Sequence, residues 1–267
     1  MIDPTAYDNA DFIPGGHGYF DRWPAAARAF RERWPADRQR LDRPYGAEPR
    51  QRFDLFLPET ETRGLVIFVH GGFWRMGGRE DWSHLAAGPL AHGWAVAIPS
   101  YPLAPAARVS EITRSIAQAL PVIADGIAGP LLIAGHSAGG QLALRMVCPD
   151  AGLPDALADR IAGIQAISPL ADLNPLLMLP INADLRIDAA EAERESPINC
   201  PAPRCAVEIE VGAAERPAFV DQAIRMADAW PKAELTVTAG SHHFDVIEPL
   251  ADPQSAMVGR LLSMAEG

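Results

Sequence analysis

Cysteine is scarce in this sequence. Its three thiols, Cys148, Cys200 and Cys205, are an odd and sparse set, which argues against a disulfide framework and suits a reducing compartment. Cys200 and Cys205 flank Pro-Ala-Pro-Arg with no His or Cys partner set beside them, so neither a metal site nor another cofactor is expected. There is no Lys/Arg-rich block, and the formal net charge is −11. A nucleic-acid partner is thereby excluded, because phosphate binding needs a concentrated basic footprint. Long apolar runs are missing as well: Leu65-Val-Ile-Phe-Val69 is about a quarter of a membrane span, so no membrane partner is expected. The first residues, MIDPTAYDNADFIPGG, lack both the basic and the apolar region of a secretory signal, and a cytoplasmic location is the expectation.

What is present describes a packed enzyme-sized chain. Hydrophobic residues make up 48% and charged residues 21% of 267 positions, which excludes a disordered chain. Short apolar runs alternate with helix-length segments. The strand candidates are Arg52–Leu57, Leu65–Val69, Trp94–Ile98, Leu131–Ala134, Ile161–Ile167, Cys205–Val211 and Leu235–Thr238. Several are almost continuously apolar, as parallel strands covered on both faces must be. Helices are expected over Trp82–His92, Ser110–Ala128, Gly139–Cys148, Pro217–Trp230 and Pro253–Ala265, with Pro121 kinking or dividing the second of these. The pattern predicts one α/β domain over residues 1–267, a mostly parallel sheet with helices on both faces. Residues 1–50 read as a helical arm, and about 170–199 as a cap-like insertion too long for a plain connection.

The motifs carry the chemistry. Gly135-His-Ser-Ala-Gly139 follows an apolar strand and opens a helix, which is the G-x-S-x-G nucleophile elbow in its required context. Side chains two positions either side of the serine would collide in so tight a turn, and the serine is presented beside a helix N-terminus that favours developing negative charge. Ser137 is therefore the candidate nucleophile. His70-Gly-Gly-Phe-Trp74, after the strand LVIFV, can supply backbone donors to the oxyanion of an acyl-transfer intermediate. Gly72, Phe73 and Ala138 are assigned as those donors, with His70 bracing the loop. Trp74 and Tyr101 are candidate walls of the substrate pocket. The acid and the base should follow the serine in that order. Glu215 is the one carboxylate in the loop Gly212–Pro217, whereas Asp221 falls on the helix beyond it. His242 and His243 follow the last strand, and position alone does not separate them.

HGGFW, GHSAGG and HFDVIE resemble the serine-type kynurenine formamidases (arylformamidases) of the α/β-hydrolase fold. YPLAP, SPLADLNPL, NADLRIDAAEAERESP and ERPAFVDQA extend the resemblance from about residue 50 to 250. It implies Ser137 as nucleophile, Glu215 at the acid position and His243 as base, since the family's His directly precedes Phe. It implies no metal, and tryptophan catabolism as the context. The sequence departs from the family in carrying Glu for the acid Asp and Phe73 where Tyr is common. The implied activity is hydrolysis of a small-molecule N-formyl aryl amide such as N-formylkynurenine. A carboxylesterase for small acyl esters would use the same residues, because specificity lives in the pocket. A non-catalytic binding module on this fold usually lacks a triad member, and all three candidates are here. Oligomeric state, a homodimer included, is not legible in the sequence.

Overall fold

A computed structural model of the protein describes residues 3–266. Eight strands form one sheet in the order β1-β2-β4-β3-β5-β6-β7-β8. They are β1 (Gln39–Pro44), β2 (Arg52–Phe56), β3 (Leu65–Val69), β4 (Ala95–Pro99), β5 (Leu131–His136), β6 (Ile161–Ile167), β7 (Ala206–Gly212) and β8 (Glu234–Thr238). β1–β2 and β2–β4 pair antiparallel, and every other neighbour pairs parallel. The apolar β3 sits centrally and is wholly buried. Its alternating side chains divide between two cores. Leu65, Ile67 and Val69 face one hydrophobic cluster, while Val66 and Phe68 face the other. Parallel strands read as continuous apolar runs for this reason.

Six helices of seven or more residues cover the sheet: α1 (Tyr19–Arg33), α2 (Val109–Ala124), α3 (Ala138–Arg145), α4 (Ala189–Glu195), α5 (Pro217–Ala229) and α6 (Ala256–Ser263). In α2 the buried Ile112, Ile116, Leu120 and Ile123 repeat at helical spacing and make one apolar stripe. Glu111 accepts a hydrogen bond from the Arg108 backbone N–H at 2.8 Å, which caps the helix start. Pro121 does not divide α2, because it falls in the last turn and the helix ends at Ala124, short of the expected Ala128. The segment expected as a helix over Trp82–His92 is instead a 3-10 turn, Ser83–Ala86, running into the short helix Ala87–Ala91.

The arm before residue 50 is only partly helical. α1 buries Tyr19, Trp23, Ala27 and Phe30 along one face, as its spacing requires. Beyond it, Gln39–Pro44 is a strand, not a helix, and forms the exposed antiparallel edge of the sheet. The segment Leu170–Asn199 contains three short helical turns and α4. It is pinned by charge: Glu191, 1% exposed, binds Arg108, and Glu195 accepts from Thr113 at 2.7 Å and pairs with Arg145 at 3.3 Å.

Candidate active site

Four strand ends converge at the carboxyl edge of the sheet: β3, β5, β7 and β8. At the end of β5 the backbone turns sharply. Ser137 has φ 57° and ψ −119°, a conformation that costs a non-glycine residue on the order of 1–3 kcal/mol and must be over-determined by its surroundings. Its N–H donates to the Ile167 carbonyl at 2.8 Å, and its own carbonyl accepts from Gly140 and Gln141 at 2.9 and 3.1 Å. The flanking glycines are a steric requirement. A Cβ on Gly135 would lie 2.1 Å from the Gly139 carbonyl oxygen, and one on Gly139 would lie 2.0 Å from that of Val69.

The loop after β3 passes beside the serine. A Cβ on Gly71 would approach the Ser137 Cβ to 3.1 Å and the His136 carbonyl oxygen to 2.9 Å. Gly72, Phe73 and Trp74 follow with φ of 107°, 51° and 55°, so three consecutive residues occupy the left-handed half of the backbone map. That run bends the loop back on itself, with Arg75 and Met76 N–H both donating to the Gly72 carbonyl at 2.9 and 3.1 Å. His70 is fully buried beneath the loop, stacked on Tyr101 at 4.3 Å, with Nδ1 donating to the Gly71 carbonyl at 2.7 Å. Burial pushes its pKa down to about 4. A neutral imidazole thus braces the turn.

The third element is the pair Glu215–His243. The two residues come from the loops after β7 and β8, and their side chains meet at 2.6 Å between His243 Nδ1 and Glu215 Oε2, both buried. A carboxylate only accepts hydrogen bonds, so Nδ1 carries the proton and Nε2 is left with its lone pair. The other carboxylate oxygen accepts from Ser168 Oγ at 2.5 Å and from the Gly212 N–H at 2.8 Å. The His243 ring lies 4.1 Å from that of Phe219 and 4.7 Å from that of His136. His136 Nε2 donates to the His243 carbonyl at 2.8 Å. Burial and the nearby His243 hold the His136 pKa well below its ordinary value, so it too is neutral.

His242 points elsewhere. Its Nδ1 accepts from the Phe244 and Asp245 N–H groups, both at 3.2 Å, and its Nε2 lies 3.4 Å from the Tyr19 hydroxyl on α1. Asp245 is bound to His242 and Asp221 sits exposed on α5, so neither meets His243. Ser137 and His243 line one cavity of about 620 Å³, along with Gly72 and Phe73.

Two expected wall residues are displaced. Trp74 and Tyr101 are fully buried and line no part of this cavity. The Trp74 indole donates to Gln141 at 3.1 Å and the Tyr101 hydroxyl to the His70 carbonyl at 2.8 Å, so both hold the scaffold beneath the loop. Leu179, Pro180 and Ile181 of the Leu170–Asn199 segment do line the cavity, and so do Pro4, Thr5, Tyr7–Ala10 and the α1 residues Phe20 and Trp23. The role of the N-terminal segment was not legible locally, since nothing in its composition marks a wall. Ser168, too, escaped; its signal was the Ser-Pro-Leu-Ala-Asp run directly after β6. Among the described residues, no cluster of three or more His, Cys, Asp or Glu side chains is arranged to hold a metal ion. No helix among them is long and apolar enough to cross a membrane.

A sequence model of the α/β hydrolase fold matches residues 66–194. Kynurenine formamidases of Danio rerio and Drosophila melanogaster are 28% and 30% identical to this chain over 240 and 230 residues. The matches span 84% and 78% of this chain, and 81% and 75% of theirs. A crystal structure from Silicibacter sp. TM1040, provisionally described as a thioesterase, is 48% identical with a TM-score of 0.94, over 96% of this chain and 97% of that one.

Proposed function

Since this chain belongs to the kynurenine formamidase family of the α/β-hydrolase fold, we propose that it cleaves the N-formyl amide of N-formylkynurenine or a related aryl formamide. The chain is a hydrolase; the substrate and the roles of its residues are the proposal. Ser137 Oγ attacks the formyl carbon while His243 Nε2 takes its proton. The buried Glu215 carboxylate, 2.6 Å from Nδ1, holds the imidazole's tautomer and stabilises the imidazolium that forms. The tetrahedral oxyanion is met by the Gly72, Phe73 and Ala138 N–H groups, none of which has a hydrogen-bond partner among the described residues. The C–N bond then breaks and His243 returns the proton to the departing arylamine. Water, deprotonated by the same histidine, attacks the formyl ester and releases formate and free Ser137.

The single observation that carries this reading is the buried Glu215–His243 pair opening on the cavity that Ser137 also lines. Family resemblance supplies the substrate class. A second reading, hydrolysis of small acyl esters or thioesters by the same residues, is favoured by the 48% identical relative provisionally described as a thioesterase. Three cysteines with no disulfide among the described residues support a cytoplasmic location. The test compares kcat/KM for N-formylkynurenine and p-nitrophenyl acetate in wild type and Ser137→Ala. The formamidase reading expects preference for the formamide and a loss of about 10⁴-fold or more in kcat for the variant. A variant keeping more than a tenth of the activity would exclude Ser137 as nucleophile. Preference for the ester would favour the second reading.

A further inference from the structure

The cysteines take no part in the hydrolytic chemistry, and two of them meet. Cys148 lies just beyond the C-terminal end of α3, the helix that Ser137 opens, and Cys200 directly follows the Leu170–Asn199 segment. Their side chains interact directly, with Cys148 as the donor and Cys200 as the acceptor. The Arg145 guanidinium, 2% exposed, donates from Nη1 to Cys200 Sγ at 3.3 Å. Arg145 is itself held by both Asp150 carboxylate oxygens at 2.9 Å and by Glu195 at 3.3 Å. A thiolate at Cys200 therefore has an S–H donor and a cation on it. These contacts draw its pKa below the ordinary thiol value, the Cys148 hydrogen bond first and, against the effect of burial, the guanidinium. Cys148 is 4% exposed, and the same hydrogen bond together with burial raises its pKa. The third thiol, Cys205, has neither contact among the described residues, and burial pushes it up to about 11.

The arrangement divides two roles. Reactive cysteines combine thiolate character, a neighbouring cation and partial exposure, and Cys200 is half-buried where Cys148 is buried. An activated thiol beside a second one that can resolve it is the usual build of a redox-sensitive pair. We propose that Cys200 and Cys148 form a peroxide-reactive dithiol, a site of reversible modification outside the catalytic cavity, with Cys200 attacking and Cys148 resolving. The Cys200 thiolate attacks one oxygen of hydrogen peroxide: an S–O bond forms, the O–O bond breaks, and the departing hydroxide takes a proton from solvent. The Cys148 sulfur then attacks the sulfenic acid so formed. An S–S bond forms, the S–O bond breaks, and the departing hydroxide leaves as water with the Cys148 proton. The two thiols are oxidised to a disulfide and the peroxide is reduced to two waters. The bond closes the loop between residues 148 and 200. It thereby ties the end of the segment whose Leu179–Ile181 wall the cavity to the helix that carries the nucleophile elbow.

The test treats the reduced full-length protein with hydrogen peroxide, alkylates the remaining thiols with iodoacetamide after denaturation, and maps the peptides by mass. The expected product is a Cys148–Cys200 cross-linked peptide pair, lighter by two hydrogens and restored by dithiothreitol, with Cys205 alkylated as in untreated protein. In Cys148→Ser the oxidation should stop at a Cys200 sulfenic acid that dimedone traps. In Cys200→Ser neither remaining thiol should react with peroxide. Without peroxide, iodoacetamide should label native Cys200 more than about tenfold faster than Cys205 at neutral pH, since only the thiolate is the nucleophile. Both thiols left free after peroxide, or equal labelling of Cys200 and Cys205, would overturn the proposal. So would a disulfide formed through Cys205, or a wild-type Cys200 sulfenic acid that persists beside an unreacted Cys148. The wild-type cross-link decides the matter even where a serine variant folds poorly.

Discussion

At the scale of the residue, the carboxylate proposed to orient His243 is the sharpest place to intervene. Glu215 has both oxygens occupied, one by His243 and the other by Ser168 and the Gly212 N–H. Glu215→Gln keeps the shape but removes the charge, and in a triad this costs on the order of 10³–10⁴-fold in kcat. Glu215→Asp keeps the charge but is short by about 1.5 Å, a displacement that can cost about 10²-fold. The kcat of both variants, each checked for folding, measures this; Gln within threefold of wild type would remove Glu215 from the mechanism. The histidines should separate just as clearly. His243→Ala is expected to lose nearly as much kcat as Ser137→Ala, whereas His242→Ala loses only the contacts to Tyr19 and its own turn. Equal losses at the two positions would contradict that division.

At the scale of the element, the elbow depends on how closely α3 approaches β3. Gly139→Ala would set a Cβ 2.0 and 2.5 Å from the Val69 and His70 carbonyl oxygens, and neither backbone can retreat without moving the central strand. Gly259 in α6 faces open space, and there alanine should help by about 0.5–1 kcal/mol, since glycine loses more backbone entropy in a helix. At roughly 2–4 °C per kcal/mol, Gly259→Ala should raise the Tm by one to a few degrees, while Gly139→Ala lowers it by more or fails to fold. Thermal melts of the two variants test the contrast. The two cavity-lining segments outside the sheet differ in the same physical way. The Leu170–Asn199 segment is fastened by buried charges, whereas the N-terminal segment is held by Tyr7, whose hydroxyl accepts from Gln222 at 2.9 Å, and by Arg216, whose guanidinium reaches Asp3 at 3.1 Å, Thr5 at 3.2 Å and the Phe12 ring at 4.8 Å. Exposed pairs contribute little, so the segment should open first. Arg216→Met is expected to speed hydrogen exchange across residues 3–13 and leave 189–199 unchanged; the reverse pattern would contradict this.

At the scale of the whole molecule, buried imidazoles tie stability to pH. Burial lowers the pKa of His70 and His84 to about 4 and that of His136 well below its usual value. In the unfolded chain these rings take up protons near pH 6.5. Between about 6.5 and 4 the unfolded state therefore binds more protons than the folded one, and stability falls as pH falls. The expected slope is about 1.4 kcal/mol per pH unit for each fully shifted ring. Tm measured from pH 7 to 5 should drop by several degrees, and imidazole ¹⁵N shifts at pH 5.5 should remain those of neutral rings at His70 and His136. Protonated shifts at that pH would contradict the account.

Much of this protein is local, and what is local is legible. Leu65–Val69 reads as a buried strand because five consecutive apolar residues can bury both faces only between helices. Ser137 is marked because the steric demands of its turn fall on neighbours two positions away. Glu215 is found because a short loop offers a single carboxylate. Other features depend on residues distant in the chain. Gln39–Pro44 looks polar because an edge strand buries little, and only its antiparallel pairing with β2 reveals it. Trp74 and Tyr101 stand in and beside the chemical motifs, yet packing against Gln141 and His70 turns them into scaffold. Chain position alone does not separate His242 from His243, and the family resemblance points to His243; in space it is His243 that meets Glu215, while His242 lies beside Tyr19. The N-terminal wall of the cavity is the plainest case: it exists because residues 4–10 fold back across the ends of strands more than a hundred positions later, a closure that contacts in three dimensions decide and local sequence does not encode.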